Sequence, residues 1–344
     1  DLFLFAQLHA LFYNGDILLL YAVVGFALIP VCKLKDKTVF WIALILLLQP
    51  YEWGRAIYAM INPDYVVSIG HFMPYAMRAQ EATANGNFFE VLCSNISDGQ
   101  LYSNIWQVEN GRLFQTAALF MFGMLLGRRK YLIKSEESVR FWKKMLKGAV
   151  LAFIPLYCLK TFVPDLLTNP SVQIPYKIAV PSYANFAFMI ILVSIFTLLW
   201  FKKEKGYGWQ SLLIPYGRMS LTNYISQSIM GVIIYYGFGL AMYKYAGATA
   251  SLLIALLIFT VQLILAVGGL PVINRDHSNS YGVRVLGFSD FPLFEFDSYF
   301  CKFVAVNPVR SLLDQADCFL ISRLAKALFY FDVEGTPFFI NKES

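Results

Sequence analysis

Residues 182–201 read SYANFAFMIILVSIFTLLWF, a mostly apolar run without a charged side chain. A helix needs about 20 such residues to cross the hydrocarbon core of a bilayer. A buried helix of a soluble protein explains one or two runs of this kind, but not a series of them joined by basic loops. Seven such segments occur along the chain: 16–32, 39–61, 107–127, 147–166, 182–201, 220–241 and 248–267.

These segments predict an all-α fold, a polytopic transmembrane helix bundle of about seven spans, because isolated helices satisfy their own peptide groups in lipid. The apolar stretch before Asp16 is long enough to be the end of a further, truncated span. The chain starts with Asp1 and no basic region precedes its apolar stretch, so we expect the natural N-terminus to lie upstream.

The overall composition also indicates a membrane protein. Of the 344 residues, 58% are hydrophobic, 17% aromatic and only 15% charged, whereas soluble domains have about a quarter of their residues charged. The net charge of +6 comes from Lys and Arg in short connecting loops rather than from one face of a folded domain. We therefore expect the lipid bilayer as a partner and no nucleic acid.

The distribution of Lys and Arg predicts the orientation. Basic residues cluster in segments 33–37, 128–147 and 202–205, which the positive-inside rule assigns to the cytoplasm. Segments 62–106 and 242–247 are poor in Lys and Arg and are predicted to face outward. The polar 62–106 segment is a candidate cap over an outward cavity, and 128–147 is predicted to be an amphipathic helix on the inner leaflet.

No motif of soluble catalysis is present. The five cysteines are scattered and show no metal-binding spacing with the three histidines, so we expect neither a disulfide framework nor a bound metal. The chain contains no phosphate-binding glycine loop, dinucleotide fingerprint or nucleophile elbow. No bound cofactor is predicted.

Ionisable residues beside or inside spans are candidate functional groups because a charge in the bilayer is costly. His9 and Asp16 flank the predicted outward end of the first span. Asp16 is either a helix cap or a proton carrier, and His9 and Asp16 are the candidates for catalysis. Glu52 and Arg55 have the i, i+3 spacing of an ion pair, which neutralises a helix end or serves function.

Arg112 and Gln115 open the third predicted span. The Arg112 guanidinium either extends to the membrane interface or binds a carboxylate or phosphate.

A second polar run covers residues 215–227. On one continuous helix it forms two adjacent stripes: Arg218, Thr222 and Ser226, and next to them Ser220, Asn223 and Gln227. These side chains either join helices or bind an anionic group near the cytoplasmic side.

Several of these segments resemble one family. They are His9-Ala-Leu-Phe-Tyr-Asn-Gly-Asp-Ile-Leu-Leu-Leu-Tyr21, Gly111-Arg-Leu-Phe-Gln, the Phe-Gly-Met-Leu-Leu-Gly-Arg run ending at Arg128, and Gly217-Arg-Met-Ser-Leu-Thr-Asn-Tyr-Ile-Ser-Gln227. Together they resemble the YeiB-like family of bacterial inner-membrane proteins, grouped with the acyltransferase 3 superfamily. The resemblance covers about residues 1–266 and implies a multi-pass protein of the bacterial inner (plasma) membrane.

The chain departs from this family at both ends. The family's early Leu-Asp-x-x-Arg-Gly segment is absent, and the superfamily's catalytic histidine lies in that region, so His9 does not inherit its role. Residues 267–344 lack the family's final Gln-Gly-Pro-x-Glu-x-Leu-Trp-Arg motif. Codons shifted by one base over 267–283 can encode it, so we expect an irregular, non-homologous and frameshifted tail. A genuine cytoplasmic appendage is the alternative.

The resemblance implies transfer of an acyl group from cytoplasmic acyl-CoA to an outward-facing sugar or lipid acceptor. Since the family's early segment is absent, we expect this chain to lack the catalytic front of the family. The expected substrate-binding residues are Arg112, Gln115, Arg218, Thr222, Asn223 and Gln227, with Arg218, Asn223 and Gln227 lining the donor pocket. A transporter or flippase for an anionic or amphipathic solute is the alternative function. The sequence leaves the oligomeric state open.

Overall fold

The computed structural model describes residues 2–62, 64–202 and 208–269, and within them every regular element is helical. The first half contains α1 Leu2–Phe12, α2 Leu18–Val31, α3 Asp36–Leu47, α4 Pro50–Ile61, α5 Met73–Asn85, α6 Phe88–Ser94 and α7 Gln100–Glu109. The second half contains α8 Arg112–Arg128, α9 Glu136–Phe162, α10 Pro170–Lys202, α11 Trp209–Arg218, α12 Ser220–Tyr235 and α13 Ala248–Gly269. The expectations for Lys203, Lys205 and the tail from residue 270 lie outside the described residues.

Three helical segments are long and apolar enough to cross a membrane: Glu136–Leu166, Pro170–Lys202 and Ala248–Gly268. They contain the predicted spans 147–166, 182–201 and 248–267. Two further apolar helices, Leu2–Phe12 and Leu18–Val31, are shorter. The all-α architecture with apolar, membrane-like helices is therefore confirmed for the described residues, while the number of seven crossings stays a prediction.

The predicted span 39–61 is interrupted. Gln49 has a left-handed backbone (φ 52°) between α3 and α4, because Pro50 has no N–H for the next helical hydrogen bond and its ring disfavours a continuous helix. The carbonyl of Leu48, which the interruption frees, accepts a hydrogen bond of 2.6 Å from the Tyr183 hydroxyl of α10. On either side of the interruption, α3 packs on α8 and α4 packs on α10.

Helices α9 and α10 pack along each other. At one end of this pair, Trp142 of α9 is buried with Val193, Trp200 and Phe201 of α10. The Trp142 indole also donates to the Tyr131 carbonyl at 2.7 Å. The predicted amphipathic helix over 128–147 has other bounds: these residues form the end of α8, a turn and the start of the long helix α9. Its place on the inner leaflet stays a prediction.

The polar 62–106 segment folds into helices α5, α6 and α7, with a π-helical turn Asn95–Gly99 between the last two. Asn87 and Glu90 form a reciprocal capping box at the start of α6. Arg78 and Asp98 form an ion pair of 2.7 Å. These helices pack on one another and on α1, which agrees with a folded cap; its outward location stays a prediction.

Candidate functional site

The site is centred on Asp16, in the non-helical segment between α1 and α2. One carboxylate oxygen, Oδ1, lies 2.9 Å from Nδ1 of His9 and accepts a second hydrogen bond of 2.9 Å from the Tyr224 hydroxyl of α12. His9 is 5% and Asp16 4% exposed. The His9 ring stacks on Phe5 and lies 5.2 Å, centroid to centroid, from the Tyr224 ring. Sequence reasoning thus identified two of the three residues that the fold brings together.

Asp16 does not cap a helix. The first residue flanking α2 is Ile17, and no side chain caps that end. The carboxylate instead binds the side chains of α1 and α12, which rules out the capping interpretation of Asp16 and leaves the functional one open.

Helices α5 to α7, with the π-helical turn, form what we call the cap region. Side chains of the cap region donate hydrogen bonds to the backbone of the segment around Asp16. The Asp16 carbonyl accepts hydrogen bonds from Ser103 (3.3 Å) and Gln107 (3.4 Å) of α7. Asn95, in the π-helical turn, donates to the Leu11 carbonyl at 2.9 Å. Two backbone carbonyls at the interruption between α1 and α2 are therefore bound by protein side chains.

The segment lies alongside the middle of α12. Tyr224 reaches Asp16 from the second turn of that helix, and Tyr236, one residue past its end, donates to Asn14 at 3.4 Å. These two tyrosines are separated by roughly 18 Å along the helix axis. The pair His9 and Asp16 consequently lies between the two ends of α12. Its predicted place at the outward end of the first span stays a prediction.

The hydrogen-bonding atoms indicate the chemistry that the pair can perform. A carboxylate accepts hydrogen bonds only, so Nδ1 of His9 carries the proton in the bond to Asp16. The other ring nitrogen, Nε2, is buried and has no hydrogen-bond partner among the described residues, and the same holds for Oδ2 of Asp16. A histidine fixed in this way presents a free lone pair, which suits proton abstraction.

Arg112 and Gln115 lie together at the start of α8. Arg112 donates to the Gln115 side-chain oxygen at 3.1 Å, and its guanidinium lies 5.6 Å from the Trp106 ring centroid. Gln115 is buried, and its amide nitrogen has no hydrogen-bond partner among the described residues. Arg112 therefore turns toward protein groups, which argues against simple extension to the interface.

The predicted stripe that starts at Arg218 does not form. Helix α11 ends at Arg218 and α12 begins at Ser220, so Arg218 is not on one continuous helix with Thr222 and Ser226. Pro215 lies inside α11, and the helix ends three residues after it. Three of the expected substrate-binding residues are exposed: Arg218, Thr222 and Gln227.

Asn223 is buried and joins helices. It donates to the Tyr216 carbonyl at 2.9 Å, and its own carbonyl accepts a hydrogen bond of 2.8 Å from Gln262 of α13. Gln262 also donates to Ser226 at 2.7 Å and accepts from the Tyr216 hydroxyl. These contacts favour helix packing for Asn223. Gln262 is the one amide side chain in the run 248–267, which was the signal that could have revealed it.

Glu52 and Arg55 form the expected ion pair, with Arg55 Nη1 3.1 Å from Glu52 Oε2. Arg55 also donates to the Ser68 carbonyl at 3.2 Å. The pair thus ties α4 to the segment that follows it. In the part of the chain that the structure describes, no group of three His, Cys, Asp or Glu side chains is placed to hold a metal ion.

Comparison with known proteins supports the resemblance in a coarse form. The family described as "Protein of unknown function (DUF418)" matches residues 126–268, from the end of α8 to the end of α13. The Bacillus subtilis (strain 168) protein named "Uncharacterized protein YxaH" is 25% identical over 277 residues, which are 76% of this chain and 64% of that protein. The chain thus spans less than two thirds of this relative's length. No solved structure matches the chain.

Proposed function

We propose that this chain is the membrane-embedded part of an acyltransferase-like protein in which His9 is the general base and Asp16 fixes its orientation. The observation that supports this proposal is the free, buried Nε2 of a histidine whose Nδ1 is bonded to a carboxylate. This is the base and orienting partner that transfer to a hydroxyl group requires.

In the proposed reaction, Nε2 of His9 takes the proton of an acceptor hydroxyl. At the same time the oxygen of that hydroxyl attacks the carbonyl carbon of an acyl thioester. The carbon–sulfur bond then breaks, and the proton passes to the leaving thiolate. Asp16 stabilises the imidazolium that forms between these steps. The Tyr224 hydroxyl, bonded to the same carboxylate oxygen, keeps that oxygen directed at His9.

The phosphates of an acyl-CoA donor require a cation. Arg218 is exposed at the junction of α11 and α12, six residues before Tyr224 in the sequence. The donor would bind Arg218 and direct its thioester toward His9. This assignment keeps Arg218 in the donor site and gives Asn223 a structural role. Thr222 and Gln227 are exposed on different sides of α12.

Two measurements test the proposal. Acetyl-CoA and palmitoyl-CoA should raise the unfolding temperature of the purified protein, and Arg218→Ala should abolish the increase. CoA release in proteoliposomes supplied with bacterial lipids should fall about 100-fold in His9→Gln. His71→Gln is the matched control, because His71 is exposed and bonds Glu109 in the cap region. Equal rates in wild type and His9→Gln would contradict the proposal.

A solute transporter is the second candidate, and the position of the pair favours it. His9 and Asp16 lie beside the middle of α12 at an interruption between two apolar helices, where transporters place their substrate and ion sites. Proton-driven uptake of an anionic solute into proteoliposomes, without release of CoA, would support this function over acyl transfer. Loss of uptake in Asp16→Asn would indicate that His9 and Asp16 carry the proton that drives uptake.

A further inference from the structure

The start of α9 carries four basic residues on one side: Arg140, Lys143, Lys144 and Lys147. We call them the α9 basic stripe. At 100° per residue they fall within an arc of roughly 100°, and all four are exposed. None of them forms an ion pair with any residue in the ranges that the structure covers.

The burial of the opposite side of α9 determines which way the α9 basic stripe faces. Trp142 is 2% exposed and packs into the cluster with Trp200 and Phe201 of α10. Since the stripe is centred roughly 150° around the helix from Trp142, it faces away from the protein. The stripe is therefore available to a partner along its whole length.

The same side of α9 becomes apolar within one turn after Lys147. Leu151 is 73% and Ile154 60% exposed, and both lie directly in line with the stripe. This helix is among those long and apolar enough to cross a membrane. The change from basic to apolar on one face places the stripe at the level of lipid headgroups and the following residues among the acyl chains.

We infer that the α9 basic stripe is a docking surface for anionic phospholipid headgroups. Four unpaired cations next to a lipid-facing apolar surface are complementary to phosphodiester groups, and each basic residue near an anionic surface strengthens attraction to it. The acidic residues Glu136 and Glu137 lie one turn farther from the apolar surface. Free phosphate lacks the acyl chains that would cover Leu151 and Ile154, so the structure favours lipid over a soluble anion.

The test compares wild type with a variant carrying Arg140→Gln, Lys143→Gln, Lys144→Gln and Lys147→Gln in nanodiscs. Phosphatidylglycerol should raise the unfolding temperature of wild type by roughly 5 °C relative to phosphatidylcholine, and the variant should lose most of this increase. High salt should weaken it as well. Inorganic phosphate should have no effect on detergent-purified wild type.

The control variant carries Lys33→Gln, Lys35→Gln and Lys37→Gln, which are exposed in the turn after α2 and at the start of α3. It should keep the full effect of phosphatidylglycerol. An equal loss in both variants would overturn the inference, because any surface charge would then suffice, and so would an unchanged effect in the stripe variant. If the fourfold variant does not fold, Lys143→Gln with Lys144→Gln is compared with Lys143→Arg with Lys144→Arg, which should retain the effect.

Discussion

At the scale of single residues, one carboxylate oxygen of Asp16 accepts hydrogen bonds from two side chains. His9 comes from α1 and Tyr224 from α12, so this carboxylate joins two helices that are distant in sequence. The sequence predicted His9 and Asp16 because ionisable residues are rare beside spans. It did not predict Tyr224, since tyrosine is common at membrane interfaces and no local pattern distinguishes this one.

Tyr224→Phe should destabilise the protein by about 1 to 2 kcal/mol, because it removes a hydrogen bond to a buried carboxylate. Thermal unfolding in detergent measures the loss. Tyr236→Phe is the matched control on the same helix region: its hydroxyl bonds Asn14 at the longer distance of 3.4 Å, and its removal should cost less. A larger loss of stability in Tyr236→Phe than in Tyr224→Phe would contradict the expected importance of the hydrogen bond between Tyr224 and Asp16.

Asp36, at the start of α3, should make stability depend on acid pH. The hydrogen bond from Arg129, with further contributions from Arg128, lowers the pKa of Asp36 below its ordinary value of 3.8. A lowered folded pKa means that the stabilisation is present above pH 3.8 and is lost as the pH falls through the folded pKa. Because the ion pairs are partly exposed, the contribution should stay below about 1 kcal/mol.

Asp36→Asn tests this dependence. Its unfolding temperature should lie below that of wild type at pH 6, and the difference should shrink as the pH falls below the ordinary pKa of Asp36. A difference that grows toward acid pH would have the wrong sign and would assign the effect to another group.

At the scale of helices, the interruptions were harder to predict than the helices. Apolar length predicted the regions of α9, α10 and α13, because burying side chains in lipid favours long apolar runs. The interruptions at Gln49 and Met219 lie within or beside such runs, and only their tertiary partners make them stable. Pro50 was the local signal at Gln49, since it cannot donate a backbone hydrogen bond. Pro215 does not mark the interruption at Met219, because α11 continues past it to Arg218.

Gly111→Ala should destabilise the junction between α7 and α8 by about 2 kcal/mol. Gly111 has φ +65°, and a Cβ there would lie 2.6 Å from the side-chain oxygen of Gln49, whose amide donates to the Gly111 carbonyl. Gly123→Ala, in the middle of α8, has open space for its Cβ and should be neutral or slightly stabilising. Thermal unfolding compares the two variants, and equal stability would contradict the close contact at Gly111.

At the scale of the whole molecule, the sequence predicted the helical class, which the described residues confirm, while the two-sided distribution of charge stays a prediction. It did not predict how α12 lies beside the segment between α1 and α2, because that arrangement depends on contacts more than 200 residues apart in sequence. For the same reason the predicted anion site at Arg218, Asn223 and Gln227 separated into exposed and buried residues. Local spacing does not specify where a helix ends.

The orientation can be tested with the cysteines. Cys93 is exposed in the cap region, and Cys32 lies at the end of α2 beside the basic turn. A membrane-impermeant maleimide should label a variant that retains only Cys93 in intact cells. A variant that retains only Cys32 should react after permeabilisation alone. The opposite labelling pattern would reverse the predicted orientation.

The Tyr183 hydroxyl has a mechanical consequence for the interrupted helix. It accepts from the Trp53 indole at 2.7 Å and donates to the Leu48 carbonyl at 2.6 Å, so one side chain of α10 holds α4 and the end of α3 together. Moving one half of this helix against the other would break both hydrogen bonds. The interruption is therefore a rigid junction. A large movement that keeps these two hydrogen bonds moves α3, α4 and α10 as one rigid body.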